Sequence, residues 1–175
     1  MRSAPIWAVL VFLLAIEVPC PGETAAPELL PVTGNKLRQE VVRQDALKQG
    51  AVVLVNMWAT WCPPCREEFP DLLEVERAYR DRGLRLLLVS WDSDAATARR
   101  FLASQKVEFL SYIKSAEEGN EAFIEAFAPS WSGEFPACFL FDSKGAMRAF
   151  WEGKKSPEFI SQKILEIFDN KETRP

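Results

Sequence analysis

Apolar residues follow two different patterns along this chain. The segments 51–58 and 84–91 are apolar almost without interruption, which is typical of strands buried on both faces of a parallel sheet. Elsewhere apolar positions recur every three or four residues, a spacing that predicts amphipathic helices. The predicted helices cover 36–49, 62–83, 95–105, 117–128 and 156–169, and further strands are predicted at 107–113, 135–142 and 147–151.

The order of these elements predicts an α/β fold. Alternating strands and helices favour a largely parallel sheet covered by helices on both faces. Ser143-Lys144-Gly145 separates the last two strands and is typical of a hairpin turn, so an antiparallel edge is expected. In the first helix, Leu37, Val41 and Leu47 are predicted to form the buried face. Residues 36–175 are long enough for one domain with its own core, after a Pro-containing linker at 27–35.

The first residues have the pattern of an export signal. Arg2 precedes an apolar stretch at 6–16, which is broken by prolines and Gly22. This predicts a secretory signal over 1–26, with an uncleaved N-terminal anchor as the alternative. The residues before Cys20 fit a lipoprotein cleavage box badly, so lipidation is not expected. Export would place the domain where disulfides persist.

Composition excludes several kinds of chemistry. The chain contains no histidine, which removes histidine metal sites, Cys-His nucleophile pairs and histidine acid–base catalysis. Its net charge is −4 and no basic stripe is present, so nucleic acid is not expected as a partner.

The segment Trp61-Cys62-Pro63-Pro64-Cys65 carries the strongest chemical signal. A Cys-x-x-Cys pair between a buried strand and a helix is typical of a redox-active dithiol. The prolines suit the first helical positions, where the N–H groups have no partner inside the helix. A helix N-terminus lowers the pKa of a cysteine, so Cys62 is predicted to be a nucleophile near neutral pH.

Two other interpretations of this pair are weaker. A zinc site needs about four N or S ligands, whereas Cys20 and Cys138 form no second pair. A purely structural disulfide would contribute little here, because the stabilisation grows with the length of the closed loop. No metal is therefore expected, and no cofactor other than the Cys62–Cys65 disulfide itself.

The segment from Asn56 to Pro70 resembles the active-site segment of thioredoxin-fold proteins of the TlpA/ResA/CcmG type, which are exported thiol-disulfide oxidoreductases. The resemblance extends over about 52–168. It implies a thioredoxin-like fold with a strand–helix insertion at about 107–131. It also implies that Cys62 attacks the substrate and that Cys65 resolves the mixed disulfide.

The same resemblance gives an acid its role. It implies that Glu68 is a buried carboxyl near the cysteines that exchanges a proton with Cys65, since burial raises the pKa of a carboxyl. The alternative is a solvated glutamate, as expected for its neighbour Glu67. Asn56 stands where thioredoxin itself carries a buried aspartate, a departure that favours the TlpA/ResA branch.

The resemblance also implies an opposing wall. Pro136 would follow a cis peptide bond and face the cysteines, and the Phe135 backbone would pair with an extended substrate segment. A simple strand-opening proline is the alternative. Trp61 is expected to shield the disulfide, whereas Trp131 is expected to pack, or to border the groove. Cys138 is expected to be an inert core cysteine, with a regulatory role as the alternative.

The resulting hypothesis is a monomeric periplasmic reductant of protein disulfides. The resemblance implies substrates such as apocytochromes c or copper-site cysteines, and a membrane electron donor. Two alternatives remain open at this point: a disulfide oxidase or isomerase, and a non-enzymatic copper-binding chaperone.

Overall fold

The computed structural model describes residues 27–49 and 51–172. The predicted signal or anchor at 1–26 lies outside the described residues. Within them, no helix is both long enough and apolar enough to cross a membrane.

A six-stranded mixed sheet forms the centre of the domain. Its strands are β1 Leu29–Val32, β2 Val52–Trp58, β3 Leu84–Ser90, β4 Ser111–Lys114, β5 Ala137–Phe141 and β6 Met147–Glu152, in the spatial order β1-β4-β3-β2-β5-β6. The first four strands in this order pair in parallel, and β5 and β6 pair antiparallel. The predicted parallel sheet with an antiparallel hairpin at one edge is therefore confirmed.

Helices cover both faces of this sheet. They are α1 Gly34–Lys36, a π-helical turn Leu37–Val42, α2 Arg43–Gln49, α3 Pro63–Tyr79 with a 3₁₀ turn Arg80–Arg82, α4 Ala95–Ser104, α5 Asn120–Phe127 and α6 Pro157–Glu172. Side chains of α3, α4 and α6 belong to one buried apolar cluster, and those of α2 and α5 belong to a second. β2 lies inside the sheet, between β3 and β5, and all its residues are buried.

The predicted linker at 27–35 is wrong in its middle. Leu29–Val32 forms an edge strand that pairs in parallel with β4, and Leu29 and Val32 are buried. The sequence signal was weak because only the first and last of its four residues are buried, and because an edge strand tolerates Pro31.

The predicted face of the first helix is also wrong in part. Leu37 is buried, but Leu47 is 53% exposed, and the residues that reach the core after the first turn are Val42 and Ala46. The π-helical turn explains the shift, because its i→i+5 bonds add a residue to the turn and rotate the following positions. Regular helical spacing cannot anticipate this change of phase.

Candidate functional site

The two cysteines lie at the N-terminus of α3, directly after β2, and are joined by a disulfide. Cys62 is the residue before the first helical turn, and its Sγ accepts the backbone N–H of Cys65 at 3.2 Å. Pro63 and Pro64 occupy the first helical positions, as predicted. Cys62 is 4% exposed and Cys65 is 1% exposed, so Cys62 is the less buried of the two. The helix dipole favours negative charge at the Cys62 side of the pair.

A buried aspartate orders the loop that leads to the cysteines. The carboxylate of Asp92 accepts the Thr60 hydroxyl at 2.6 Å, the Thr60 backbone N–H at 3.1 Å and the Ser90 hydroxyl at 2.8 Å. From the sequence, Asp92-Ser93-Asp94 is predicted to cap the helix that follows; the structure confirms Asp94 as the cap and places Asp92 at Thr60 instead. The available signal for that contact was the place of Asp92 just after β3, because the carboxyl ends of neighbouring parallel strands meet at one sheet edge.

The segment before β5 packs against Trp61, the residue before Cys62. The Phe135–Pro136 peptide bond is cis, as the resemblance implied, and Pro136 is buried. Trp61 is 61% exposed, and its ring lies edge-on to Phe135 at 5.6 Å between centroids. Trp131 is buried behind Phe135, at 5.5 Å between ring centroids, so its main contribution is packing.

Glu68 is fully buried in α3, three residues after Cys65 and on the same face of the helix. Its Oε1 accepts the backbone N–H of Lys155 at 2.9 Å. Burial raises the pKa of Glu68 to about 7, against the opposing effect of that hydrogen bond. Glu67, by contrast, is exposed and pairs with Lys154 at 3.1 Å. The site therefore contains one acid that can bind and release a proton near neutral pH.

A buried polar contact joins β2 to the neighbouring strand β5. Asn56 and Cys138 are register partners, and the Asn56 Nδ2 donates to the Cys138 Sγ at 3.3 Å. Cys138 is a free thiol in the core, and burial raises its pKa, with the nearby Glu68 carboxylate acting in the same direction. A thiol that does not ionise is a poor nucleophile, so the geometry favours the inert interpretation of Cys138.

Comparisons with known proteins agree with this geometry. The sequence profile of the Redoxin family matches residues 23–158. The chain belongs to the Redoxin family. It is 29% identical over 146 residues to the thiol:disulfide interchange protein HelX of Rhodobacter capsulatus, covering 82% of this chain and 77% of that protein. It is 26% identical to the thiol-disulfide oxidoreductase ResA of Geobacillus thermodenitrificans, covering 68% of this chain and 64% of that protein.

A solved structure supports the fold assignment of this Redoxin-family chain. The thiol:disulfide interchange protein of the thioredoxin family from Chlorobium tepidum superimposes with a TM-score of 0.59 at 24% identity, covering 69% of this chain and 81% of that chain. The predicted thioredoxin-like fold is thus confirmed. With relatives that are named thiol-disulfide oxidoreductases and a cysteine pair at the helix start, the protein is a thioredoxin-like oxidoreductase.

Proposed function

We propose that the protein is an exported dithiol reductant that acts on specific protein disulfides through Cys62 and Cys65. One observation carries the proposal: a cysteine pair at a helix N-terminus lies on the same helix face as the buried Glu68, whose pKa is raised to about 7. A dithiol and a proton carrier in one enclosed site are the groups that disulfide reduction requires.

The first half of the reaction belongs to Cys62. In the reduced protein its thiolate attacks one sulfur of a substrate disulfide, the substrate S–S bond breaks, and the departing sulfur leaves as a thiolate that takes a proton from solvent. The product is a mixed disulfide between Cys62 and the substrate. The positive end of the α3 dipole favours the thiolate form that this step needs.

The second half belongs to Cys65 and Glu68. The Glu68 carboxylate takes the proton of the Cys65 thiol, and the Cys65 thiolate attacks the Cys62 sulfur. The mixed disulfide breaks, the Cys62–Cys65 disulfide forms, and the second substrate sulfur leaves as a thiolate that takes a proton from solvent. The substrate has gained two electrons and the protein has lost two. A pKa near neutrality lets Glu68 accept this proton and return it when the disulfide is reduced again.

The wall opposite the cysteines would hold the substrate. The Phe135 backbone would pair with an extended segment that carries the target cysteine, by strand addition. Trp61 offers an exposed flat ring beside the disulfide, and aromatic rings contribute large contact areas to interfaces. Candidate substrates are apocytochromes c and proteins with copper-site cysteines.

We further propose that the domain works outside the cytoplasm, most simply in the periplasm, as a monomer that a membrane dithiol donor keeps reduced. The support is the signal-like pattern of residues 1–26 and the family to which the chain belongs. No cofactor besides the Cys62–Cys65 disulfide is part of the proposal. Among residues 27–49 and 51–172, no group of three or more Cys, Asp or Glu side chains is placed to hold a metal ion.

The equilibrium constant of the Cys62–Cys65 pair with glutathione tests the direction of electron flow. A reductant should remain largely oxidised in a glutathione buffer typical of an oxidising compartment, which corresponds to a potential near that of thioredoxin, about −270 mV. A potential near about −120 mV, the range of strong oxidants, would contradict the proposal and favour the oxidase alternative.

A further inference from the structure

The short segment between β6 and α6 donates backbone hydrogen bonds to both Pro136 and Glu68. The backbone N–H of Gly153 donates to the carbonyl of Pro136 at 2.8 Å, and the backbone N–H of Lys155 donates to Oε1 of Glu68 at 2.9 Å. Between them, the Lys154 Nζ lies 3.1 Å from a carboxylate oxygen of Glu67. We call residues 153–155 the bridging loop.

The Lys155 amide is the part of the bridging loop that reaches the buried acid. The other carboxylate oxygen of Glu68, Oε2, is buried and has no hydrogen-bond partner among the described residues. A buried carboxylate with a single donor takes its orientation from that donor, because every other polar contact has been removed with the solvent. The Lys154–Glu67 pair is exposed on both sides and contributes much less.

The Gly153 amide connects the bridging loop to Pro136, in the segment proposed to bind substrate. Under the proposed function Pro136 belongs to the wall opposite the cysteines, and its carbonyl accepts the N–H of Gly153. Gly153 has a φ of +71°, a backbone conformation that L side chains rarely adopt. A glycine at this position therefore allows the loop to turn from Pro136 toward α3 within two residues.

We propose that the bridging loop is a positioning element that holds the Glu68 carboxyl beside Cys65 through the Lys155 amide and ties it to the Pro136 wall through Gly153. The inference rests on the proposed role of Glu68 as the proton carrier. It deepens that role, because the acid and the substrate-facing backbone would be held as one unit by main-chain bonds that no side-chain pattern reveals.

The groups around Glu68 determine how much the bridging loop should change the pKa of this carboxyl. Burial and the carboxylate of Asp71, on the same helix, raise its pKa. The Lys155 N–H is the largest influence in the opposite direction, and the ammonium groups of Lys154 and Lys155 act more weakly. The Cys138 thiol on β5 is neutral in the relevant range. Removing the N–H should therefore raise the pKa of Glu68 more than removing either lysine side chain.

An amide-to-ester substitution at residue 155 tests this directly, because it removes the N–H and keeps the lysine side chain. We expect the pKa of Glu68, followed by carboxyl ¹³C NMR and assigned with Glu68→Gln, to rise by about one unit, the size expected for losing a hydrogen bond to a charged group. The midpoint of the pH profile for reduction of the disulfide by dithiothreitol should move the same way. Lys155→Ala, which keeps the N–H, is the matched control and should shift the pKa by clearly less.

A folded ester variant with an unchanged Glu68 pKa would overturn the positioning role, whatever the protein reduces in the cell. Conversely, a shifted pKa in a protein whose Cys62→Ser variant still exchanges disulfides would support the loop and contradict the proposed function. Gly153→Ala tests the tie to Pro136: we expect a changed KM for a disulfide-bonded peptide together with a changed Glu68 pKa. A changed KM with the wild-type pKa would contradict the coupling.

Discussion

The carboxylate of Asp92 accepts both the hydroxyl and the backbone N–H of Thr60, at 2.6 and 3.1 Å. Thr60 lies two residues before Cys62, so this bond fixes the loop that presents the nucleophile. We expect Asp92→Ala to lower the free energy of unfolding by about 2 kcal/mol, because the Thr60 and Ser90 donors lose their acceptor. The rate of disulfide exchange should fall more than stability alone explains. Denaturant unfolding and stopped-flow exchange measure the two effects.

Asp94 provides the control for Asp92. It is exposed and caps α4 by accepting the N–H groups of Ala96 and Thr97, at 3.1 and 3.0 Å. Asp94→Ala should lower stability slightly, as the loss of a helix cap does, with an unchanged exchange rate. Equal losses of exchange rate in the two variants would mean that Asp92 has no special effect on the cysteine loop.

Glu68 should make the oxidised protein less stable as the pH rises. Its carboxyl has an ordinary pKa of 4.5 in the unfolded chain and about 7 in the fold, so the folded state holds its proton more tightly. Stability from this group is therefore complete below the unfolded pKa and is lost as the pH rises through the folded one, by up to about 3 kcal/mol.

Glu68→Gln removes this dependence, because the amide does not titrate. We expect its free energy of unfolding to vary less between about pH 5 and pH 8 than that of the wild type. Glu67→Gln, at an exposed neighbouring position, should keep the wild-type slope. The slopes come from urea titrations at each pH, and parallel curves for wild type and Glu68→Gln would contradict the titration assigned to Glu68.

Cys138 should be unreactive in the native protein. It is 1% exposed and burial raises the pKa of its thiol, so iodoacetamide should label it only after unfolding. Comparing wild type with Cys138→Ala by mass spectrometry isolates this thiol from Cys20. The variant should keep the exchange rate and lose about 1–2 kcal/mol of stability, since Asn56 loses its acceptor. Rapid native labelling, or loss of exchange, would support a regulatory role instead.

Gly34 is required by a close approach between the first helix and α5. A Cβ at this position would overlap the backbone carbonyl of Phe123, which cannot move aside as a side chain can. We expect Gly34→Ala to cost about 2–3 kcal/mol, the range for overpacked sites. Gly119→Ala is the matched control, since nothing lies within 4 Å of the added methyl group. Similar melting temperatures for the two variants would rule out the close contact.

Local sequence patterns predicted β2, β3 and the start of α3. Continuous apolar runs indicate strands buried on both faces, and prolines indicate a first helical turn. The apolar runs that became β2 and β3 are buried on both faces, and the prolines after Cys62 fit a helix start. The failures have physical causes. β1 is stabilised by pairing with a strand about eighty residues away, and the π-helical turn shifts the phase of the helix that follows.

The residues of the candidate site also fall into those that the sequence predicts and those that only the structure reveals. Cys62 and Cys65 carry their signal in a local motif, whereas Glu68 and Pro136 could be anticipated only from the resemblance. Asp92 is ambiguous in sequence, because an aspartate just before a helix also fits a capping role. The Lys155 contact has no side-chain signal at all, since its donor is a main-chain amide. Contacts of this kind appear only when the chain is folded.

The most direct test of the central claim is to trap what Cys62 attacks. In a Cys65→Ser variant the mixed disulfide has no resolving thiol, so it should accumulate and be recovered from the exported fraction under non-reducing conditions, then released by dithiothreitol. A Cys62→Ser variant expressed at the same level should recover nothing and should have lost disulfide exchange. Specific cysteine proteins bound to Cys62 are the predicted result. Cys65→Ser recovered without any partner, or equal recovery from both variants, would contradict the account.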